Sequence, residues 1–558
     1  MGDFIPTPEQ RYVLEELLPA GKSALVVSGP GTGKSRTAIE IARRKVESLQ
    51  ETRQQQILFL SFSNAAIDRL TATAGIHFTP RERRLLRFMT YHSCAADTLR
   101  HYGRFVGLPP TVHIADKLEE RLVCVESGWS EDGETRLGLY QLARTKGLLT
   151  FDMLIPLADR LLRSSSVLHA AISRRYPLIV VDEFQDTSEA QWKFLQLLGY
   201  RSQVIVFADP NQIIYAGMHA ATEKRLHEFE EWKGVIATPF STANFRCSDG
   251  CILDFANCLL TGTPFRATSG TSLEIVDAGF RTRLRGLLAV IWRAIREQYG
   301  TGETVGVLAP SNKLVEKIAV DLRNPPSDSP IPFPVYTQMA RDEAAYDAVI
   351  LTMAALRDFA RAPSELTAKK AAVALLVLNT HWNSRVKVKS GQIEVLSKDL
   401  ADQMEACSTR LGIFIHGLRM EQNLSEQIPG LVECLREIRY FSVAASRISA
   451  HGRLCAEKIT IDDPQMSLFD SFRSTRTPKG LTGYDAWKGK TNVLTYHKSK
   501  GREFDFVVLV VDPRGESTKV TLEEKRRLYY VCATRAKKWI GIVHFGRDKG
   551  AVLGPVIG

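Results

Sequence analysis

The sequence predicts a multidomain α/β protein organised on parallel sheets, and three observations carry that prediction. The apolar run 24–27 breaks into a glycine-rich turn, Ser28-Gly29-Pro30-Gly31-Thr32-Gly33-Lys34-Ser35. The turn leads into an amphipathic helix with Ala38, Ile39, Ala42, Val46 and Leu49 on one side. Further apolar runs at 57–60, 178–181 and 204–207 each end in a polar cluster, as parallel strands do where open α/β sheets bind ligands. The third observation is length: 558 residues exceed one hydrophobic core and suggest three or four domains of about 100–200 residues each.

The glycine-rich turn reads as a phosphate cradle. Small residues let successive backbone N–H groups point at an anion, and the following helix N-terminus adds partial positive charge. Lys34 can then reach β- and γ-phosphates, while the Ser35 hydroxyl can hold Mg²⁺. One departure is visible: Ser28 stands where the pattern usually opens with glycine, and Gly29 follows one place later.

Lysine and arginine total 73 against 62 acidic residues, a formal charge of +11, which favours a polyanionic partner. Nine cysteines occur without a paired CxxC spacing, which reads as isolated reduced thiols and not a metal site. Cys247, Cys251 and Cys258 are placed on one predicted helix. No apolar run approaches the roughly 18 residues of a membrane span, and no signal-peptide pattern opens the chain. The reading is a cytoplasmic protein with no membrane partner.

Taken in order, Phe4-Ile5-Pro6-Thr7-Pro8-Glu9-Gln10 is a proline-punctuated entry to a helix. The Gln10 amide has a donor and an acceptor able to read an adenine edge, although taken alone the residue reads more readily as a surface glutamine. A second predicted strand, 56–60, ends in Ser61-Phe62-Ser63-Asn64 before a helix over 65–70. A third candidate is Phe88-Met89-Thr90-Tyr91-His92-Ser93. Residues 94–175 turn helical and polar, as an inserted subdomain would. The strand 176–181 is then capped by Asp182-Glu183-Phe184-Gln185-Asp186-Thr187. Two adjacent carboxylates at a strand end suit metal-assisted phosphoryl transfer, with Asp182 holding Mg²⁺ through its water shell and Glu183 orienting and deprotonating the attacking water. An acidic cap on the next helix is the alternative. The strand 204–207 delivers Ala208-Asp209-Pro210-Asn211-Gln212-Ile213-Ile214-Tyr215.

With these blocks, the later Asn244-Phe245-Arg246-Cys247, TYHKSKGREF (Thr495 to Phe504) and EEKRRLYYVCATRAK (Glu523 to Lys537) complete an ordered set running from residue 10 to residue 537. The set resembles the motif series of the UvrD/Rep-like superfamily 1A DNA helicases. DEFQDT and YVCATRA are its most specific members, and the phosphate cradle its least. The resemblance implies two RecA-like P-loop domains with ATP in the cleft between them, each interrupted by a mainly helical insertion. The implied limits are 1–95 with 176–245 for the first RecA-like domain and 96–175 for its insertion. The second domain takes 246–362 with 491–558, with strands near 305–310, 507–512 and 540–545, and a shortened insertion at 363–490. Within that insertion 394–418 and 428–435 have helical periodicity, and 462–479 reads as loop.

The resemblance also assigns residues. Gly29, Gly31, Thr32, Gly33, Lys34 and Ser35 hold the phosphates of Mg²⁺-ATP. Phe245 stacks on adenine, which Gln10 and Arg36 bracket, and Glu503 lies on the sugar. Gln212 senses the γ-phosphate, and Arg246 and Arg535 reach it from the second domain. These arginine roles rest wholly on their motif neighbours. Ser61, Ser63, Thr90, His92, Thr495 and His497 meet the phosphates of single-stranded DNA, whose bases stack on Phe62 and Tyr215; a core position is the alternative for either aromatic. Gly217 and Met218 stand where the family usually has an aromatic and an arginine. The second insertion also lacks an arginine- and glycine-rich signature, and little follows Lys537 beyond one strand and a short tail, so no appended nuclease is expected. The implied activity is that of an ATP-dependent 3′-to-5′ translocase and helicase acting on single-stranded and tailed double-stranded DNA. The alternative is a nucleotide- and DNA-sensing ATPase subunit of an antiphage complex with a TOPRIM/OLD-like nuclease, a general plan shared with Gabija-like systems.

Overall fold

A computed structural model describes residues 4–49, 54–115, 120, 133–214, 224–240, 245–247, 250–266, 273–276, 280–294, 297, 303–323, 335–337, 340–382, 390–407, 409–419, 427–437, 491–512, 520–544 and 550–557. Along the chain the strands are β1 (Ala24–Val27), β2 (Ile57–Ser61), β3 (Leu86–Thr90), β4 (His113–Ala115), β5 (Leu148–Thr150), β6 (Leu178–Asp182), β7 (Gln203–Ala208) and β8 (Thr238–Pro239). They continue with β9 (Leu273–Val276), β10 (Val305–Ala309), β11 (Val335–Thr337), β12 (Thr491–Thr495), β13 (Phe504–Val511) and β14 (Ala536–His544).

The chain divides into two compact units, Met1–Tyr102 with Ile155–Gln338 and Leu481–Gly558, and Gly103–Leu154 with Met339–Gly480. The first unit holds two six-stranded sheets, ordered β3-β2-β6-β7-β1-β8 and β11-β12-β10-β13-β14-β9. Every strand pair in both is parallel. Strands β2, β6, β7, β10 and β12 are buried along their whole length. That explains why they read as unbroken apolar runs instead of alternating ones, since a parallel sheet is covered on both faces. Both sheets are the α/β architecture of RecA-like domains.

Parallel register puts the informative residues on one sheet edge. Ser61 pairs with both Thr90 and Asp182, and Val27 lies beside Ala208, so the segments following β1, β2, β3, β6 and β7 all emerge at the same carboxyl end. Local signals set the helices. Thr7 and Gln10 close a reciprocal capping box with Pro8 in the first turn. Ser63 caps a helix running from Asn64 to His77, longer than the expected 65–70. The strand expected over 88–93 stops at Thr90, where the helix Tyr91–Tyr102 begins. Cys247 is not on a helix with Cys251 and Cys258: Gly250, at φ +70°, starts the helix Cys251–Thr261, and its left-handed backbone separates Cys247 from that helix.

The second unit contains the two-stranded parallel sheet β4-β5 and the helices Ala340–Arg361, Glu365–Trp382, Ser390–Ala406, Arg410–Gly417 and Ile428–Glu437. Its core joins Met353, Phe359, Leu375, Leu400, Ile415 and Leu431. Two helices, Ser390–Ala406 and Arg410–Gly417, thus cover most of the stretch 394–418 and a third covers 428–435, while the expected loop at 462–479 lies outside the described residues. Gly412 lets two of these helices approach closely, because a Cβ there would stand 2.1 Å from the Gln403 carbonyl oxygen. Among the described residues no helix is long and apolar enough to cross a membrane. Gly412→Val is expected to destabilise this helical unit by about 1–3 kcal/mol through overpacking, read as a lower midpoint of helical signal loss on heating.

Candidate active site between the two sheets

The cradle folds as its composition requires. Gly31 and Gly33 have φ of +78° and +88°, left-handed values that glycine adopts freely. A Cβ on Gly33 would also come within 2.9 Å of the Gln10 amide nitrogen and 3.7 Å of the Phe245 ring. Gln10 is wholly buried. Its amide donates to the Thr32 carbonyl at 3.1 Å and accepts the Thr7 N–H at 3.1 Å, tying the first helix to the cradle. The Phe245 N–H donates to the Gly31 carbonyl at 2.8 Å, while its side chain remains 64% exposed. An exposed aromatic held over the cradle by its own backbone is an available stacking surface. Arg36 contacts His77 and lies 5.8 Å from the Phe4 ring centre.

Lys34 folds back on the loop, donating to the carbonyls of Ser28 at 2.7 Å and Gly29 at 2.8 Å, with Asp209 at 3.8 Å. Burial pulls its ammonium below the ordinary value, against the attraction of Asp209, Glu183 and Asp182. Asp182, at the end of β6, is buried; it accepts the Glu183 N–H at 3.0 Å and meets Arg69 at 3.2 Å. Burial and the neighbouring Glu183 push its carboxyl up, Arg69 and Lys34 notwithstanding. Glu183 sits at φ +54°, a left-handed backbone rare for a residue with a side chain and frequent where a side chain must be aimed. Burial would raise its carboxyl, but Lys500, Lys34, Arg69 and Arg535 together bring it down to about 2.

The second sheet supplies the facing wall. Arg246 donates to the Thr534 carbonyl at 2.7 Å and to Glu503 at 2.5 Å. Arg535 is buried, with bonds to the Val531 carbonyl at 2.8 Å and the Gln212 amide oxygen at 3.0 Å. Burial lowers its guanidinium to about 10, so it stays charged at neutral pH. Both walls enclose a cavity of about 390 Å³ lined by Gly31, Gly33, Lys34, Ser35, Arg36, Arg69, Glu183, Gln212, Phe245, Arg246, Glu503, Arg535 and Lys537, among others. The expected catalytic residues Lys34, Glu183, Gln212, Arg246 and Arg535 therefore line one space. Six cations in that lining face only two carboxylates, a balance that suits a triphosphate. A hydroxyl at Ser35 and a carboxylate at Asp182 are the hard oxygen donors Mg²⁺ takes, with phosphates and water completing its shell.

The residues expected at DNA are distributed unevenly. Ser61 is wholly buried at the end of β2, and its hydroxyl makes no hydrogen bond, so it presents no exposed atom to a strand. The Ser63 hydroxyl accepts the Ala66 N–H at 3.2 Å, and Thr90 pairs with Ser93 at 2.9 Å. Phe62, His92 and His497 are half-buried, and Thr495 ends β12 as the cap of a short helix. Tyr215 lies outside the described residues.

Two contributors carried no expected role. Arg69, on the helix Asn64–His77, joins Asp182 to Glu503, each at 3.2 Å; it stands 434 residues from Glu503, and nothing in its neighbourhood marks it. Lys500 reaches Asp186 at 2.6 Å and donates to the Gln212 carbonyl. Its signal was its place inside the TYHKSKGREF block.

Two parallel sheets sharing a cavity walled by a phosphate cradle and opposing arginines define a P-loop protein of two RecA-like domains. The family model described as UvrD/REP helicase N-terminal domain matches residues 7–137 and 129–231, and that described as UvrD-like helicase C-terminal domain matches 491–543. The chain belongs to the UvrD/Rep-like helicase family. It is 23% identical to the ATP-dependent DNA helicase PcrA of Leuconostoc citreum, over 92% of this chain and 79% of PcrA. It is 23% identical to DNA helicase II of Escherichia coli, over 93% of this chain and 82% of the relative. The match to the ATP-dependent DNA helicase Rep of Salmonella typhimurium, at 22% identity, covers 43% of this chain and 41% of Rep.

Two outcomes are expected. Gly33→Ala forces a side chain into left-handed backbone, at about 1–2 kcal/mol, and into Gln10; nucleotide affinity, measured with a fluorescent ATP analogue, should fall at least about tenfold. Glu503 is held well below the carboxylate range because Arg246, Arg69, Lys537 and Arg535 outweigh the effect of burial. A depressed folded value contributes stability above the unfolded value and loses it as pH falls through the folded one. Glu503→Gln should therefore lower the thermal midpoint at pH 7, with the difference from the parent narrowing on acidification below pH 4.

Proposed function

We propose that this chain is an ATP-dependent DNA helicase that moves 3′ to 5′ along single-stranded DNA, driven by Mg²⁺-ATP hydrolysis between its RecA-like domains. The observation that carries the proposal is the shared cavity: Lys34, opening the helix after β1, and Glu183, following β6, line one space with Arg246, which is bonded to the Thr534 carbonyl, and Arg535, which precedes β14. In this reading the cradle N–H groups and Lys34 take the phosphates, and Phe245 stacks on the base beside Gln10 and Arg36. Mg²⁺, held by Ser35 and Asp182, would neutralise charge on the phosphate oxygens. Glu183 orients water toward the γ-phosphorus and accepts its proton. Each cation drawn from Glu183 onto the triphosphate strengthens that carboxylate as a base, because those cations are what depress it.

Arginines supplied across a cleft stabilise transition-state charge only when the walls are together, an effect worth about 10³–10⁵ in rate. Hydrolysis is thereby tied to domain closure. A strand lying over both sheets would be drawn along by that motion, with Phe62 and Tyr215 stacking on bases irrespective of sequence. Ser63, Thr90, His92, Thr495 and His497 would meet its phosphates, while Ser61 would need a rearrangement to join them.

Lys34→Ala and Glu183→Gln should each cut DNA-stimulated ATP turnover by more than about 10²-fold, and near-normal turnover in either would refute the assignment. Arg535→Ala should slow hydrolysis by about 10³-fold with ATP affinity changed only a few-fold; weakened DNA binding as its sole effect would remove it from the cleft. Strand displacement on 3′-tailed, 5′-tailed and forked duplexes tests direction and unwinding together. ATP turnover on DNA without strand separation would instead indicate a DNA-sensing ATPase serving a separate nuclease. DNA affinity should fall steeply with salt, through loss of the counterion-release term; flat salt dependence would identify another ligand.

A further inference from the structure

Gln185 belongs to the short turn Phe184–Asp186 after β6 and is wholly buried. Both ends of its amide are engaged: the nitrogen donates to the Glu183 carboxylate at 2.7 Å, and the oxygen accepts the Asp209 N–H at 3.0 Å. The Asp209 carboxylate accepts the Gln212 amide N–H at 2.6 Å, and the Gln212 amide oxygen accepts from Arg535 at 3.0 Å. We propose that Gln185 is a positioning residue, the centre of a direct hydrogen-bonded relay that makes the aim of the Glu183 carboxylate depend on whether Arg535 is seated in the cleft.

The chemistry of the links gives the relay its direction. A side-chain amide offers a donor and an acceptor on one planar group, so the Glu183 and Asp209 bonds are fixed by a single side-chain rotation. Gln212 does the same between Asp209 and Arg535, and neither amide can turn over without breaking a bond at each end. Buried bonds of this kind are costly to leave unmade. Withdrawal of Arg535 leaves the Gln212 oxygen without that donor, loosens its hold on Asp209 and frees the loop whose N–H orients Gln185. Glu183 is held from its main chain as well: its left-handed backbone points the side chain inward, and its carbonyl accepts the Asp186 N–H at 3.0 Å. The remaining freedom is rotation of the carboxylate, which the Gln185 nitrogen restrains.

This inference rests on the reading that Glu183 and Arg535 serve ATP hydrolysis, and its test separates the two. In the full chain with single-stranded DNA, Gln185→Met is expected to lower kcat by about 10²-fold, the scale for a misaimed catalytic group. The Kd of a fluorescent ATP analogue should stay within about twofold, because no phosphate or base contact is lost. Gln185→Glu keeps the acceptor for Asp209 but turns a carboxylate toward Glu183, and kcat should fall at least as far; it replaces the methionine variant if that one fails to fold. In a Gln212→Ala background, where the relay is already cut, the penalty of Gln185→Met should shrink below about threefold, whereas that of Gln185→Glu, a direct repulsion of Glu183, should persist. Turnover within twofold of the parent in Gln185→Met, or an undiminished penalty of Gln185→Met in the Gln212→Ala background, overturns the relay. Near-normal turnover in a Glu183→Gln control would overturn the underlying catalytic reading instead.

Discussion

Positive charge in excess of what the protein itself can balance is the constraint under which the cleft is built. Arg69, Arg246 and Lys537 all converge on Glu503, one carboxylate for three cations. Lys34 turns to main-chain carbonyls, and Arg535 to a carbonyl and an amide oxygen. Charge taken out of water without a full partner is expensive, and here the expense is limited by spreading each cation over several weak acceptors. Such an arrangement is held ready for a stronger anion. A polyphosphate would exchange main-chain oxygens for charged ones at Lys34 and give Arg246 a partner other than Glu503, and in the proposed function the gain from that exchange draws the two walls together.

The same constraint explains why ion pairs cross between elements far apart in sequence. Arg69, on the helix Asn64–His77, meets Glu503 just before β13, and Lys500, after the short helix that follows β12, meets Asp186 after β6. Burial pushes the Asp186 carboxyl up to about 6 even with the Lys500 ammonium beside it, so this pair gains less than its 2.6 Å separation suggests. Its use is geometric: Lys500 also donates to the Gln212 carbonyl, holding the loop after β7 against the second sheet. A buried ion pair is by itself weak evidence of net stabilisation, because desolvation offsets its attraction.

Much of this was legible in the sequence because the physics was local. A parallel strand buried on both faces needs an unbroken apolar run, and a cradle needs glycine at the positive φ of Gly31 and Gly33; both leave marks within a few residues. The cross-cleft residues left marks only where they sat inside a dense block, as Arg246, Glu503 and Arg535 did. Arg69 has no such block, and its role exists only once Asp182 and Glu503 are brought to either side of it. Ser61 illustrates the converse. The family resemblance placed it at DNA phosphates, but register with Thr90 and Asp182 keeps it inside the sheet, and register is a property of pairing that one strand alone does not reveal. Cys247 was placed on one helix with Cys251 and Cys258, whereas Gly250 starts that helix in a left-handed conformation.

A site divided between two walls must also prevent hydrolysis when the walls are apart, and the first sheet alone already carries Lys34, Asp182 and Glu183. In the proposed function, those three would suffice for slow hydrolysis if the carboxylate were permanently aimed. The depressed Glu183 carboxyl argues that its proton affinity is set largely by cations it does not own, two of which, Lys500 and Arg535, belong to the opposite wall. In the proposed relay, the amides of Gln185 and Gln212 add an orientational requirement to that electrostatic one. Charge acts over several ångströms and falls off gradually, whereas a hydrogen bond is lost within one. Adding the second to the first converts a graded dependence on cleft closure into a sharp one, which is the property a motor needs if nucleotide is to be consumed only on a productive step.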